Sequence, residues 1–191
     1  MTHSTALNLA HAALRERVRG RAIGALVMSF FGTWWAVSGL ARSNCPAWAW
    51  MVLAVTAAVI AVIALRTLRA HPSVDEPLPA VMAQRRCRAR RIFWWTCAAE
   101  LAGILIGVDV VGNLGHPEWQ PAAVMLAVGL HFLPLAAGFG YRPYAVTGAA
   151  LTAWALAYPM LFAAGALAPT GIGAAGAILF ASAAWALRPV R

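Results

Sequence analysis

The sequence contains no lysine, and its acidic residues are almost as scarce. Asp and Glu together account for 6 of the 191 residues, and charged residues make up 11% of the chain. A soluble domain carries about 25% charged residues, so this composition excludes a surface that faces water on all sides. The length also excludes two large units, and we expect residues 1–191 to form a single transmembrane domain.

Cysteine is scarce as well. The three cysteines, Cys45, Cys87 and Cys97, form no CxxC or Cys/His motif. Cys87 lies in an Arg-rich segment and Cys97 in an apolar one, which argues against a disulfide between them. The motifs therefore predict no metal site, no redox role for these thiols and no cofactor.

The net charge of +9 can indicate a nucleic-acid-binding protein. Such a protein gathers its basic residues on a solvated face beside a soluble core. Here the 15 basic residues are all Arg and they stand between apolar runs. We therefore expect no nucleic-acid partner. The all-Arg, Ala-rich composition is typical of a GC-rich bacterial genome.

Long apolar runs make up most of the sequence, since 62% of the residues are hydrophobic. A hydrocarbon core about 30 Å thick needs roughly 20 apolar residues per helix. Six segments meet this need and predict an all-α polytopic membrane bundle of six transmembrane helices: 22–41, 47–65, 92–113, 120–139, 144–166 and 170–187. Pro46, Pro117 and Pro169 stand near the starts of returning helices, where the missing N–H costs little.

The arginines predict the orientation of these spans. Fourteen of the 15 lie on one side of the arrangement, and Arg42 alone lies on the other. Positively charged segments stay in the cytoplasm, so we expect both termini to be cytoplasmic, in a bacterial inner membrane. Residues 1–21 are then a cytoplasmic N-terminal segment, in which Leu7–Val18 is typical of a short helix on the membrane surface.

The predicted cytoplasmic segment 66–91 is the longest connection between spans. Its prolines and acidic residues favour an irregular loop rich in arginine. The cluster Arg85–Arg91 within it is interpreted in two ways: it binds anionic lipid headgroups, or it only fixes the topology.

The loops also suggest a repeat. Each pair of helices runs in from an Arg-bearing end, turns tightly and returns to an arginine, which favours three tandem helical hairpins. The alternative is that any six-span protein with short outer turns shows this pattern.

Ionisable residues inside the apolar runs are the strongest functional signal. Glu100 and Asp109 lie on the third predicted helix and His131 lies halfway along the fourth. An ionisable group at mid-membrane costs about 2.5–3.5 kcal/mol and indicates function by default. At 1.5 Å per residue, Glu100 and His131 lie roughly 24 and 21 Å from the tight turn near Pro117. The two side chains are thus predicted at nearly one level on neighbouring helices, within reach of a hydrogen bond.

Asp109 is predicted to lie away from this pair. It is nine residues from Glu100, which places the two carboxylates on opposite faces of a straight helix. Asn113 follows one turn later on the face of Asp109. We expect Asp109 and Asn113 to face the outer mouth or a second neighbouring helix.

Aromatic residues supply further candidates for a binding site. Trp34, Trp154 and Tyr158 lie deep in their predicted spans and are candidates to line a cavity for an amphipathic ligand. The alternative is that they fill the bundle core.

The segment Val128-Gly-Leu-His-Phe-Leu-Pro-Leu-Ala136, preceded by Glu100 and Asn113, resembles a family of small, uncharacterised bacterial six-span membrane proteins with a GLHFLPLA-like segment. The resemblance covers roughly residues 92–150. It implies that Glu100, Asn113, His131 and Pro134 are shared positions. It implies no activity, and Asp109 is outside the shared pattern.

Three classes of function are compatible with these residues. The leading hypothesis is a protein that binds or transports a small or lipid-like molecule at Glu100 and His131, with proton coupling and a homodimer as further expectations. The alternative is an intramembrane enzyme, an acid-catalysed isomerase or terpene-cyclase-like protein in which Glu100 and His131 exchange protons with a lipophilic substrate. The third class is a structural or stress-response membrane protein in which the polar pair only fixes helix register.

Overall fold

The computed structural model describes residues 3–72 and 80–189. Within these residues the chain forms helices and turns and no β-strand, which confirms the all-α class. The six α-helices are α1 His3–Leu40, α2 Ala47–Ala70, α3 Ala80–Asn113, α4 Gln120–Phe139, α5 Arg142–Leu161 and α6 Pro169–Ala186. Short 3-10 turns at Pro117–Trp119 and Gly165–Leu167 precede α4 and α6.

In the described part of the chain, five stretches are long and apolar enough to cross a membrane. They are His11–Leu40, Ala47–Ala70, Arg86–Asn113, Pro117–Phe139 and Pro169–Ala186. Helix α5 has 20 residues, but its Tyr, Thr, Trp and Pro residues lower its hydropathy. The helical membrane bundle is therefore supported, whereas the count of six spans is not established by length and composition.

Two predicted segments differ from the structure. The predicted helix Leu7–Val18 is not separate from the first span, because α1 runs without a break from His3 to Leu40. Much of the segment 66–91 is helical and not irregular, since 66–70 belong to α2 and 80–91 to α3. Arg and Ala favour helix strongly and no proline interrupts either stretch. Residues 73–79 of that predicted loop lie outside the described residues.

The helices pack in a row whose order differs from the order along the chain. The row runs α2, α1, α6, α5, α4, α3, and the most extensive contacts join α1 to α6 and α4 to α5. Among the described residues, α2 and α3 have at most marginal contact with each other, so they form the two ends of the row. Each predicted hairpin pair is in contact, and the tandem repeat stays a prediction.

Glycines allow α1 and α6 to approach closely. A Cβ atom added at Gly39 would lie 2.6 Å from the carbonyl oxygen of Pro169, and one added at Gly176 would lie 2.6 Å from that of Gly32. Both neighbours are backbone atoms, which cannot move aside by changing a rotamer. The two helices therefore pack backbone against backbone, as small residues permit in membrane bundles.

Two polar aromatic side chains of helix α5 form hydrogen bonds inside the protein. The indole Nε1 of Trp154 donates to the carbonyl of Gly171 at 2.8 Å, and the Tyr158 hydroxyl donates to the carbonyl of Ala166 at 2.9 Å. The two aromatic rings stack with centroids 6.2 Å apart. These side chains fix the position of α5 between α4 and α6, and α4 in turn carries His131 toward α3.

Candidate functional site

Glu100 of α3 and His131 of α4 meet between the two helices. The Nδ1 atom of His131 lies 3.1 Å from Oε2 of Glu100. The His131 side chain is 10% exposed and that of Glu100 is 24% exposed. The pairing that the depth estimate predicted is therefore confirmed.

Small residues set the distance between α3 and α4 near this pair. Cβ atoms added at Gly103 and Gly107 would lie 3.6 and 3.4 Å from the Cβ atoms of Ala127 and Ala123. These are ordinary van der Waals separations, so the GxxxG of α3 faces alanines of α4 without the backbone contact found between α1 and α6. This spacing leaves room for the imidazole to reach the carboxylate of Glu100.

A backbone carbonyl offers His131 a second partner. The carbonyl oxygen of Thr96 lies 3.4 Å from Nδ1 of His131. Thr96 is buried, and its hydroxyl donates to the carbonyl of Ile92 at 2.7 Å, so it does not compete for the imidazole. An N–H on Nδ1 is therefore aimed at two oxygen acceptors on α3. This orients the ring toward α3.

Cys97 completes a three-residue cluster with this pair. Its Sγ atom, a carboxylate oxygen of Glu100 and a ring nitrogen of His131 all lie within 4.8 Å of one another. All three residues are partly buried. Sequence reasoning missed Cys97 because it searched for motifs with several Cys or His residues. The available signal was the three-residue spacing of Cys97 and Glu100, which places both on one helix face.

The cluster has the chemistry of a proton-exchanging or ligand-binding site. It presents a thiol, a carboxyl and an imidazole, each of which exists with and without a proton. Glu100 and Cys97 keep part of their surface accessible, so an incoming polar group can reach them. Pro134, a shared position in the resemblance, lies inside α4 but is exposed and contributes no side chain to this cluster.

Asp109 and Asn113 lie elsewhere on α3. The Asn113 amide donates to Oδ2 of Asp109 at 3.1 Å, which confirms that they share a face. Both residues are exposed. They lie about 14 and 20 Å along the helix axis from Glu100, so the structure does not bring them together with the Glu100–His131 pair.

The aromatic candidates occupy two further places. Trp34 is 67% exposed and lines a groove of about 410 Å³ between α1 and α2, together with Ala57 and Ala61. Trp154 and Tyr158 pack in the core between α5 and α6, with their polar atoms bonded to backbone carbonyls. These three residues therefore do not line one cavity, and none of them contacts the Glu100–His131 pair.

Comparisons with protein-family models, with curated proteins and with solved structures give no match. The function is therefore argued from the cluster on α3 and α4.

Proposed function

We propose that this protein is a six-span membrane protein that binds a small or lipid-like molecule at Glu100 and His131. The observation that carries the proposal is the 3.1 Å contact between Nδ1 of His131 and Oε2 of Glu100 within two apolar helices. Ionisable side chains in such segments are rare and mark binding or transport pathways. Proton exchange between the imidazole and the carboxyl offers a means of coupling binding to protons.

The exposure of the pair favours binding over a purely architectural role. A polar contact that only fixes helix register is best enclosed, since any remaining contact with lipid costs free energy. Glu100 instead keeps 24% of its side chain exposed, and α3 stands at an end of the helix row. A ligand from the membrane can therefore reach the carboxyl without separating the helices.

The six-span topology is part of the same proposal. Helix α5 completes the six spans, and its 20 residues extend over about 30 Å at 1.5 Å per residue. That length matches a hydrocarbon core. Its polar Trp154 and Tyr158 are bonded inside the protein, so α5 can cross the membrane despite them. Six spans place both termini on the arginine-rich side, which is the cytoplasmic side in an inner membrane.

Native cysteines can test this orientation. Cys45 lies in the turn between α1 and α2, and Cys87 lies near the arginine-rich start of α3. Chains that keep only one of these thiols are expressed and treated with a membrane-impermeant maleimide. We expect the reagent to label Cys45 in intact spheroplasts and Cys87 only after the membrane is opened. Labelling of Cys87 in intact spheroplasts would refute the orientation.

The binding site is tested by Glu100→Gln and His131→Ala. Each variant is purified in a mild detergent beside the parent, and co-purified lipids and metabolites are identified by native mass spectrometry. Asp109→Asn is the matched control, because it makes the same chemical change on the same helix but about 14 Å away. We expect the bound molecule to be retained by the parent and the control and lost from both site variants.

The thermal stability of the same samples separates binding from architecture. A membrane polar contact contributes roughly 0.6 kcal/mol, so Glu100→Gln should melt close to the parent. Loss of the bound molecule with a retained melting transition supports the proposal. Equal retention of bound molecules by all four proteins, or destabilised site variants with unchanged bound molecules, would support the architectural role instead.

A further inference from the structure

The cluster of Cys97, Glu100 and His131 has the composition of a transition-metal site. It supplies one sulfur, one oxygen and one nitrogen ligand, and these atoms lie within 4.8 Å of one another. Thiolate and imidazole are ligands of Zn²⁺ and related metals, whereas Mg²⁺ and Ca²⁺ prefer sites made of oxygen alone. The ligand set therefore discriminates against the common alkaline-earth ions.

The distances are close to those that a tetrahedral metal needs. Zn–N and Zn–O bonds of about 2.0 Å and a Zn–S bond of about 2.3 Å place the ligand atoms roughly 3.3–3.6 Å apart. His131 and Glu100 are already 3.1 Å apart at Nδ1 and Oε2. No separation in the cluster exceeds 4.8 Å, so each has to close by at most about 1.5 Å.

We propose that Cys97, Glu100 and His131 bind a divalent transition metal of the zinc class, with three protein ligands and a fourth position open. The proposal rests on the proposed function, because it names the class of ligand that the same site takes. It departs from the motif-based expectation of no metal. Three protein ligands with an open position are the pattern of zinc sites that exchange water or substrate, rather than of closed structural sites.

Metal binding changes the protons of the cluster in a defined way. The Cys97 thiol releases its proton to become a thiolate. His131 coordinates through a lone pair, so an N–H on Nδ1 moves to the other ring nitrogen when Nδ1 is the ligand atom. Glu100 binds as carboxylate. Nδ1 then no longer donates to the Thr96 carbonyl, which lies 3.4 Å away. The metal takes the place of that carbonyl as the partner of Nδ1.

The test uses the full chain, purified in detergent through a tag without histidine and treated with a chelator. Cys45→Ser and Cys87→Ser are introduced together, so that Cys97 is the sole thiol. Co²⁺ is then titrated as the spectroscopic probe, followed by competition with Zn²⁺. We expect about one Co²⁺ per chain with the intense visible bands of tetrahedral cobalt and a thiolate-to-cobalt charge-transfer band. Zn²⁺ should displace the cobalt.

Three ligand variants decide which residues bind. Cys97→Ser should abolish the charge-transfer band. Removing a residue that only supports a metal ligand costs 10–100-fold in metal affinity. Removing a direct ligand should cost more, so we expect Zn²⁺ binding to weaken by at least about 100-fold in each of Cys97→Ser, Glu100→Gln and His131→Ala. Asp109→Asn and His116→Ala should bind as the parent does, and melting curves of the metal-free proteins check that each variant folds.

The outcomes separate this inference from the proposed function. Absence of the thiolate band, or an unchanged Zn²⁺ affinity in Cys97→Ser, would refute the metal site. If the Glu100- and His131-dependent organic molecule is still found in that case, the proposed binding function stands alone. Metal binding that requires all three residues supports the inference, and it does so even if no organic molecule co-purifies.

Discussion

Oγ1 of Thr147 donates a hydrogen bond to Oγ of Ser182, and the two buried hydroxyl oxygens lie 2.7 Å apart. The bond joins α5 to α6, and Ser182 in turn donates to the carbonyl of Ile178 at 2.9 Å. It is a direct side-chain link between two helices whose other polar contacts go to backbone. This link satisfies polar groups of α5 inside the protein. It is one of the hydrogen bonds that allow this helix, which has a lower hydropathy, to pack between α4 and α6.

A double-mutant cycle on Thr147→Val and Ser182→Ala should reveal a positive coupling. Interhelical hydrogen bonds in membrane proteins contribute about 0.6 kcal/mol on average and about 1.7 kcal/mol at most. We expect a coupling within that range, measured by SDS-induced unfolding in mixed micelles. Additive losses from the two single variants would show that the hydroxyl pair does not stabilise the α5–α6 contact.

Glycine substitutions should distinguish the two close helix pairs. Gly176→Ala places a Cβ atom 2.6 Å from the Gly32 carbonyl oxygen, so α1 and α6 must separate. Overpacking of this kind costs about 1–3 kcal/mol. Gly103→Ala is the matched control, because its Cβ meets only the Cβ of Ala127 at 3.6 Å.

The control should be neutral or stabilising. Replacing Gly by Ala inside a helix gains up to about 1 kcal/mol when the space exists. Both variants are compared by thermal unfolding in the same detergent. A larger loss in Gly103→Ala than in Gly176→Ala would contradict the packing described for the two helix pairs.

Arg21 of α1 should stabilise the C-terminal end of α6. Its guanidinium donates to the carbonyls of Arg188 at 2.9 Å and Trp185 at 3.4 Å, and it lies 5.5 Å from the centre of the Tyr141 ring. A cation at a helix C-terminus contributes about 0.3–1 kcal/mol, and a cation over an aromatic ring adds about 0.5–1 kcal/mol. Arg21→Gln should therefore lower stability by roughly 1–2 kcal/mol.

Hydrogen exchange can localise this effect. In Arg21→Gln the amides of the last turn of α6 should exchange faster than in the parent. Arg17→Gln removes the same charge at an exposed position and should leave these amides unchanged. Equal acceleration in both variants would assign the effect to net charge and not to the contacts of Arg21.

The start of α3 should bind anionic lipid. Arg90, Arg91, Trp94 and Trp95 line an open groove of about 400 Å³ together with Cys87. Arginine attracts anionic headgroups by about 1 kcal/mol per residue near the membrane surface, and indole rings favour the interface. Arg90→Gln combined with Arg91→Gln should therefore weaken retention of phosphatidylglycerol roughly 30-fold.

A charge-matched variant serves as the control for lipid binding. Arg66→Gln combined with Arg69→Gln removes two exposed arginines from the end of α2, outside the groove. Lipid retention is followed by native mass spectrometry with anionic and zwitterionic lipids. An equal loss in the two double variants would mean that the arginines act only through the total charge.

The starts of α2, α4 and α6 and the Glu100–His131 contact could be predicted from the sequence for local reasons. Proline at positions 46, 117 and 169 precedes or opens a helical turn in the structure, close to the predicted starts. The tight turn before Pro117 fixes the depth of both ionisable residues, since helical rise is constant. The pair could therefore be predicted without knowing how the remaining helices pack.

The rest depends on contacts between distant parts of the chain. The close approach of Gly39 to α6 involves residues about 130 positions apart, and no local periodicity encodes it. The GxxxG at Gly103 and Gly107 was recognisable, but it marks a looser contact than the glycines of α1 and α6. The three-residue spacing of Cys97 and Glu100 was visible in the sequence, but the proximity of Cys97 to His131 depends on how α3 packs against α4.

The contact between α1 and α6 has a consequence for biosynthesis. A chain is made from its N-terminus, so α1 leaves the ribosome first, and the partner of its glycine face is the last of the six helices to emerge. Until α6 emerges, the Gly32–Gly39 face lacks the backbone partner that it has in the folded protein. A chain shortened before Pro169 therefore leaves its first helix without its main neighbour.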